Sequence, residues 1–191
     1  ELFPQPEVTP YIPSFIREQE TMSGTDRGTA YHKVMELLDL AGVLPREEKM
    51  EQEAASGAGA AQKQLDAQLQ ALCESRRLKQ AERDAVADRK IEAFLNTALA
   101  RRMARAQQAG VLYREQPFVL GLPANKLGED LPEEETVLIQ GIIDVFFEEE
   151  DYIVVADYKT DRVETAEELV RRYQVQLDYY AQALERLTGK Q

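Results

Sequence analysis

Three ionised side chains sit where an apolar strand would not hold them without partners. Asp144 lies inside the run TVLIQGIIDVFF (136–147), and Asp157 and Lys159 end the next run, YIVVADYK (152–159). A charge in such a run is costly unless it is paired or binds a metal. Glu148–Asp151 is a polar interruption between the runs, so together they read as a β-hairpin. If the whole interruption is an even-numbered loop, Phe147 opposes Tyr152 and Asp144 opposes Val155. Opposed residues share a face, and so do residues two apart. Asp144, Asp157 and Lys159 then project together, with Asp157 diagonal to Asp144 at roughly 7–8 Å between backbones. An odd loop would break this register. Two carboxylates and an ammonium on one face suit metal-assisted phosphodiester hydrolysis. Hard oxygen ligands favour Mg²⁺, with Mn²⁺ as the other candidate. The ion would acidify a bound water; the lysine would orient or deprotonate it and offset negative charge. A structural salt bridge between Lys159 and either acid is the competing reading.

The surrounding elements must bring these residues together. Thr25–Leu40 reads as a helix, with Tyr31, Val34, Met35, Leu38 and Ala41 at spacings of 3 and 4, a cap at Ser23 or Thr25, and Gly42 as its stop. Pro45–Gly59 reads as a loop. Residues 62–108 are helical in composition, with Ile91, Phe94, Leu95, Leu99, Arg102 and Met103 as one stripe and Gly110 as the end. Val111–Leu120 is a strand candidate, and Gly121–Glu135 a loop. Thr165–Leu187 is a helix with the seam Val170, Tyr173, Leu177, Tyr180, Leu184 and Leu187, fit to pack on a sheet. Residues 1–22, with Pro4, Pro6, Pro10 and Pro13, read as an extended arm or linker. The chain begins like an internal stretch of a longer protein.

Composition bounds the function. The chain has 191 residues and a net charge of −12. Taken alone, that acidity argues against a polyanionic partner. The charge is uneven, however: Leu127–Tyr158 holds eleven acids and no Lys or Arg, while Ala71–Arg105 holds nine bases against five acids. One part can therefore face a polyanion while another carries the acidity. The arginines of 76–105 read as a solvated helix face, with contact to a DNA backbone as the minority alternative. The single cysteine, Cys73, excludes a disulfide framework, a Cys-rich zinc site and a four-cysteine iron–sulfur cluster. No apolar run approaches the roughly 18 residues of a membrane span. There is no G-x-x-x-x-G-K-[ST] phosphate loop, so ATP chemistry is not expected in this stretch.

Further residues join the pattern. GIID (141–144) followed by DYKT (157–160) resembles the core of the PD-(D/E)xK nucleases. GTAYH (28–32) is similar to the G-x-x-x-H helix of that superfamily's RecB-like branch, and QLDYY (176–180) to its Q-x-x-x-Y motif. REQPFVLGLP (114–123) with ADYKTDR (156–162) resembles the nuclease domains of AddA-type helicase–nuclease subunits. The resemblance covers about 28–187 and implies an α/β fold: a mixed central sheet flanked by helices, with a helical insertion at about 43–110. The nuclease domain would occupy 23–191.

The resemblance also implies roles. His32, Asp144, Asp157 and the backbone carbonyl of Tyr158 match the ligands of a divalent ion, and Lys159 matches the catalytic lysine. Gln176 and Tyr180 match residues near the DNA and the site. It implies a Mg²⁺-dependent DNA exonuclease, without an iron–sulfur cluster, acting in the cytoplasm on a single strand delivered from unwound duplex. The partners would be the protein's own N-terminal helicase region and an AddB-type subunit. The function would be double-strand-break repair and recombination.

Read without the resemblance, these residues leave alternatives open. His32 lies off the apolar stripe, where a histidine is commonly just solvated. Tyr180 lies on the seam, where core packing accounts for it, and Gln176 on its shoulder, equally an ordinary surface glutamine. Glu115, before Pro117, is either an acid beside the site or an exposed charge. A stand-alone RecB-like exonuclease, a CRISPR-associated nuclease of the same core (disfavoured by the missing cysteines) and a catalytically inactive binding platform are the other readings of the whole.

Overall fold

A computed structural model of the chain describes residues 25–44, 58–126, 132, 134–160, 163 and 165–190. The arm expected over 1–22, the capping Ser23, most of the loop at 45–59, and Asp161 and Arg162 lie outside these residues.

The first helix, α1 (Thr25–Leu37), buries Tyr31, Val34 and Met35 of the expected stripe, together with Ala30. It ends sooner than its pattern predicts. Asp39 turns extended and caps a short second helix, α2 (Leu40–Val43), by accepting from Gly42 N–H at 3.1 Å. Two glutamines hold the break: Gln68 exchanges hydrogen bonds with the Asp39 backbone, and Gln107 donates to Asp39 Oδ1 while accepting from Leu40 N–H. Gly42 is therefore no helix stop. A Cβ there would stand 2.5 Å from Asp39 Oδ2.

Within the span expected as an insertion, the described residues form four helices: α3 (Ala58–Glu74), α4 (Gln80–Ala85), α5 (Asp88–Leu95) and α6 (Ala98–Ala109). A straight helix over 62–108 would be about 70 Å long and could not wrap a small core. Breaks fold it back. Arg76 adopts a left-handed φ of 58°, and Lys79, Ala87 and Thr97 are extended. At two of these breaks Leu78 and Val86 turn inward and are buried. The stripe expected over 91–103 is thus shared by two helices. Thr97 caps α6, and Gly110, at φ 74°, ends it as predicted.

Three strands follow: β1 (Leu112–Pro123), β2 (Thr136–Glu149) and β3 (Tyr152–Ala156), in the order β1-β2-β3. β1 runs three residues further than its candidate span. All the described pairings are antiparallel, so the mixed character expected of the sheet is not present among the described residues. β2 and β3 form the predicted hairpin, in a different register. The turn is the two residues Glu150–Asp151, and Phe147 opposes Val154, not Tyr152. Glu150 accepts the left-handed φ (47°) that a two-residue turn needs. Glu148 and Glu149 stay in the strand because Lys190 and Arg102 pair with them. The shift is by two residues, so the parity of the pairing is kept.

The last helix, α7 (Ala166–Thr188), is capped by Thr165 and closed by Gly189 at φ 70°. Its buried residues are Gln176, Tyr180, Ala183 and Leu184. The predicted seam is correct at its centre only: Val170 and Leu187 are 57% and 73% exposed. Two cores result. Helices α1–α6 cover one face of the sheet with Val145 and Phe147, and α7 covers the other with Phe118, Leu120, Ile139 and Ile143. No helix among the described residues is long and apolar enough to cross a membrane.

Candidate functional site

The strand register brings three acids into one row. Arg114 pairs with Val145 and Gln116 with Ile143, which puts Glu115 opposite Asp144. One step past the last β2–β3 pair, Val145 with Ala156, stand Asp144 and Asp157. Asp144 and Asp157 are therefore nearest neighbours across the hairpin end, not the diagonal pair of the sequence expectation. Glu115 is in the left-handed region at φ 49°. At this level the pattern of the sheet slips: Ile139 and Ile143 pack towards α7, and so does Phe146, whereas Val145 and Phe147 pack towards α1–α6. The irregularity lets β2 bury a carboxylate between two apolar cores, with Asp144 only 5% exposed.

His32 joins the row from α1. Its Nε2 lies 2.9 Å from the carbonyl oxygen of Tyr158, and its Nδ1 lies 3.5 Å from Asp144 Oδ1. Asp144 Oδ2 accepts the Tyr158 N–H at 2.8 Å. Tyr158, the residue between the D and the K, is thus gripped at both of its backbone polar groups. Its ring meets His32 and Phe94 edge-on. Arg114 fastens α1 to β1 by donating to the Glu36 carbonyl at 3.2 Å and to Gln107. A Cβ on Gly28, one turn before His32, would lie 3.5 Å from Thr160 Oγ1, so α1 runs close along the segment after Lys159.

Asp157 is held from the other side. Gln176 Nε2 donates to Asp157 Oδ1 at 3.1 Å and also to the Tyr180 hydroxyl, which in turn donates to the Ile142 carbonyl at 2.8 Å. Gln176 is 1% exposed, so it is no surface glutamine, and Tyr180 is both core and tether. Asp157 Oδ2 has no aligned donor, but Lys159 Nζ faces it at 2.7 Å in an ionic contact. The salt bridge of the competing reading is therefore present, and it lies at the Asp157 end of the acidic row.

The electrostatics follow from this crowding. Burial, and then the Asp144 charge, push Asp157 up to about 6 against the pull of Lys159. Contact with Asp144 holds His32 above its usual value, although burial alone would lower it. Burial and Asp144 also raise Glu115. Such a site is short of positive charge.

The donors fit a divalent cation. Single ligand atoms of His32, Glu115 and Asp144 all lie within 4.8 Å of one another. The Tyr158 carbonyl stands beside this group, hydrogen-bonded to His32 Nε2 at 2.9 Å. Of the predicted ligands, the fold gathers His32, Asp144 and the Tyr158 carbonyl tightly. Asp157 is adjacent, with its oxygens turned to Gln176 and Lys159. Glu115, which the sequence left undecided, belongs with the group. Its only local signal was an acid inside a strand candidate. Among the arginines of 76–105, Arg83 and Arg102 are engaged by Asp88 and Glu149.

Comparison with known proteins agrees with this geometry. Residues 11–191 match the PD-(D/E)XK nuclease superfamily. Similar curated proteins are ATP-dependent helicase/nuclease A subunits. That of Lachnoclostridium phytofermentans is 33% identical over 96% of this chain, and that of Clostridium novyi is 33% identical over 93%. The counterpart in a Thermoanaerobacter species is 36% identical over 93%. The chain spans 15% of the first of these relatives and 13% of the other two. With a match over nearly its whole length and the D, D-x-K pair set at the end of one hairpin, the chain belongs to the PD-(D/E)XK nuclease superfamily.

Proposed function

We propose that this chain is a Mg²⁺-dependent DNA exonuclease domain whose catalytic residues are Asp144, Asp157 and Lys159. The observation that carries the reading is the joint hold on Tyr158 by Asp144 and His32, beside the Asp157–Lys159 contact. Asp144, His32, Glu115, Asp157 and the Tyr158 carbonyl would hold the ion. A divalent ion there supplies charge neutralisation for a phosphodiester and a more acidic water. Lys159 Nζ orients the attacking water and offsets the charge that builds on the phosphoryl oxygens. Asp157, kept in place by Gln176, holds that ammonium at the site. Tyr180 ties α7 to β2 and so keeps Gln176 in reach.

The relatives are named as helicase/nuclease subunits, which supports a role within such a machine. The domain would receive a single strand from a motor in the same polypeptide, working with an AddB-type partner, in cytoplasmic double-strand-break repair and recombination. The acidity of the chain supports delivered, not captured, substrate: a net charge of −12 opposes the electrostatic attraction that dominates DNA affinity.

The test is cleavage of end-labelled linear single-stranded DNA by this chain with Mg²⁺, Mn²⁺ or EDTA, alongside Asp144→Asn. Cleavage that needs a divalent ion and vanishes in the variant is the expected result. Cleavage that survives EDTA, or persists undiminished in Asp144→Asn, overturns the reading.

A further inference from the structure

We propose that Tyr173 is a positioning residue for Lys159, holding its ammonium against the face of its ring. The inference rests on the nuclease reading above, in which Lys159 acts at the phosphodiester. Lys159 Nζ stands 4.4 Å from the centroid of the Tyr173 ring. Asp157 Oδ2 is also 2.7 Å from it, and the lysine side chain is only 12% exposed. The ammonium therefore contacts both a carboxylate and a π face.

This placement differs from ordinary packing. Tyr173 lies on the predicted apolar seam of α7, but the seam does not bury this end of the helix: Val170, one turn earlier, is 57% exposed. The fully buried part begins at Gln176. Tyr173, Gln176 and Tyr180, spaced 3 and 4 apart on one face of α7, meet Lys159, Asp157 and the Ile142 carbonyl in turn. One helix face thus positions both halves of the D-x-K pair.

A ring suits this position better than a second acid would. A lysine has four rotatable bonds and is a point charge, so a single carboxylate contact leaves it able to swing. A second carboxylate would pull Nζ into a closed salt bridge and add to an already acid-rich site. The ring attracts the cation through its quadrupole and claims no hydrogen-bond acceptor geometry. The ammonium meets Asp157 in an ionic contact and the ring through its quadrupole. With neither contact a directed hydrogen bond, its N–H donors remain for the attacking water or a phosphoryl oxygen.

The experiment measures cleavage of linear single-stranded DNA by this chain at saturating Mg²⁺, separating kcat from KM. Tyr173→Phe and Tyr173→Trp should keep kcat within about threefold, because both retain a π face. Tyr173→Leu should lower kcat by about three- to thirtyfold with KM unchanged. Phenylalanines carrying one, two or three fluorines at residue 173 should lower log kcat in step with fluorination, since fluorine drains the ring face at almost constant shape. A parallel readout needs no activity: the Lys159 Hε protons should be shifted upfield by the ring, and the shift should vanish in Tyr173→Leu. A flat fluorination series in an active enzyme, a Leu variant equal to Phe, or an absent ring-current shift overturns the proposal. An inactive wild type, or full activity in Lys159→Ala, sinks the nuclease reading and this inference with it. A dead Lys159→Ala beside an indifferent Tyr173 series sinks the inference alone.

Discussion

Asp144 Oδ2 accepts the backbone N–H of Tyr158 at 2.8 Å, so the acid of one strand holds the peptide that separates the acid and the lysine of the next. The hairpin ladder ends at Ala156, and this side chain continues it beyond the last strand pair. Any substitution of Asp144 therefore alters both charge and backbone support.

Asp144→Asn separates those two effects, because the amide oxygen can still accept from Tyr158. The variant should fold and melt normally in EDTA, yet lose about a thousandfold or more in kcat, as expected when several kcal/mol of metal-linked charge stabilisation is removed. Asp144→Ala should also melt earlier, having lost the hydrogen bond, worth about 1 kcal/mol. Melting curves of both variants beside their rates check the distinction. Equal melting of the two would show the contact to be idle.

The metal-free domain should be more stable in mild acid. Asp157 is raised from 3.8 to about 6, so the native state binds a proton more tightly than the unfolded chain does. Stability from that group is present at low pH and falls as pH rises from about 4 to about 6. His32 is also raised, so its contribution persists below its unfolded value and is lost as pH rises through the higher folded one. Both act in the same direction. In EDTA the Tm should be higher near about pH 5 than near about pH 8. Saturating Mg²⁺ should reverse the order, because the ion competes with those protons. Asp157→Asn should flatten much of the EDTA slope. An unchanged slope would place its origin elsewhere.

Gly141 should resist enlargement. Its partner across the ladder is Phe118, whose ring would lie 2.8 Å from a Cβ at Gly141 and packs edge-on against Tyr180. Gly141→Val should destabilise by about 1–3 kcal/mol through overpacking. Phe118→Leu in the same chain should recover part of that loss. A double variant no better than the sum of the singles would argue against the clash.

Tyr180→Phe removes the donor to the Ile142 carbonyl and the acceptor for Gln176. The cost should be about 1–3 kcal/mol in stability, typical of buried polar groups left unpaired. Because Gln176 also holds Asp157, apparent Mg²⁺ affinity should weaken by more than kcat at saturating ion. Titration of activity with Mg²⁺ measures this split, and an unchanged half-saturation point would confine Tyr180 to the core.

Much of the site was legible in residue order alone, because its signals are local. An acid inside an apolar strand, a D-x-K ending the next, and a polar break of even length suffice to put Asp144, Asp157 and Lys159 on one face. The two-residue shift keeps that parity, but the three meet where the alternation of β2 slips and beyond the end of β3, so parity alone does not account for their meeting. Gly110 and the capping Thr165 likewise act within a few residues of themselves. What the tertiary structure alone decided depends on contacts distant in sequence. His32 meets a carbonyl 126 residues away. Glu115 enters the acidic row only through a left-handed residue opposite Asp144, and Gln68 and Gln107 break α1 from α2 by reaching Asp39. The register goes with a two-residue turn at Glu150–Asp151, beside which Arg102 and Lys190 pair with Glu149 and Glu148. A periodicity of 2 or 3.6 shows which way a side chain faces. It does not say what will come to meet it, because that depends on how the helices fold back over the sheet.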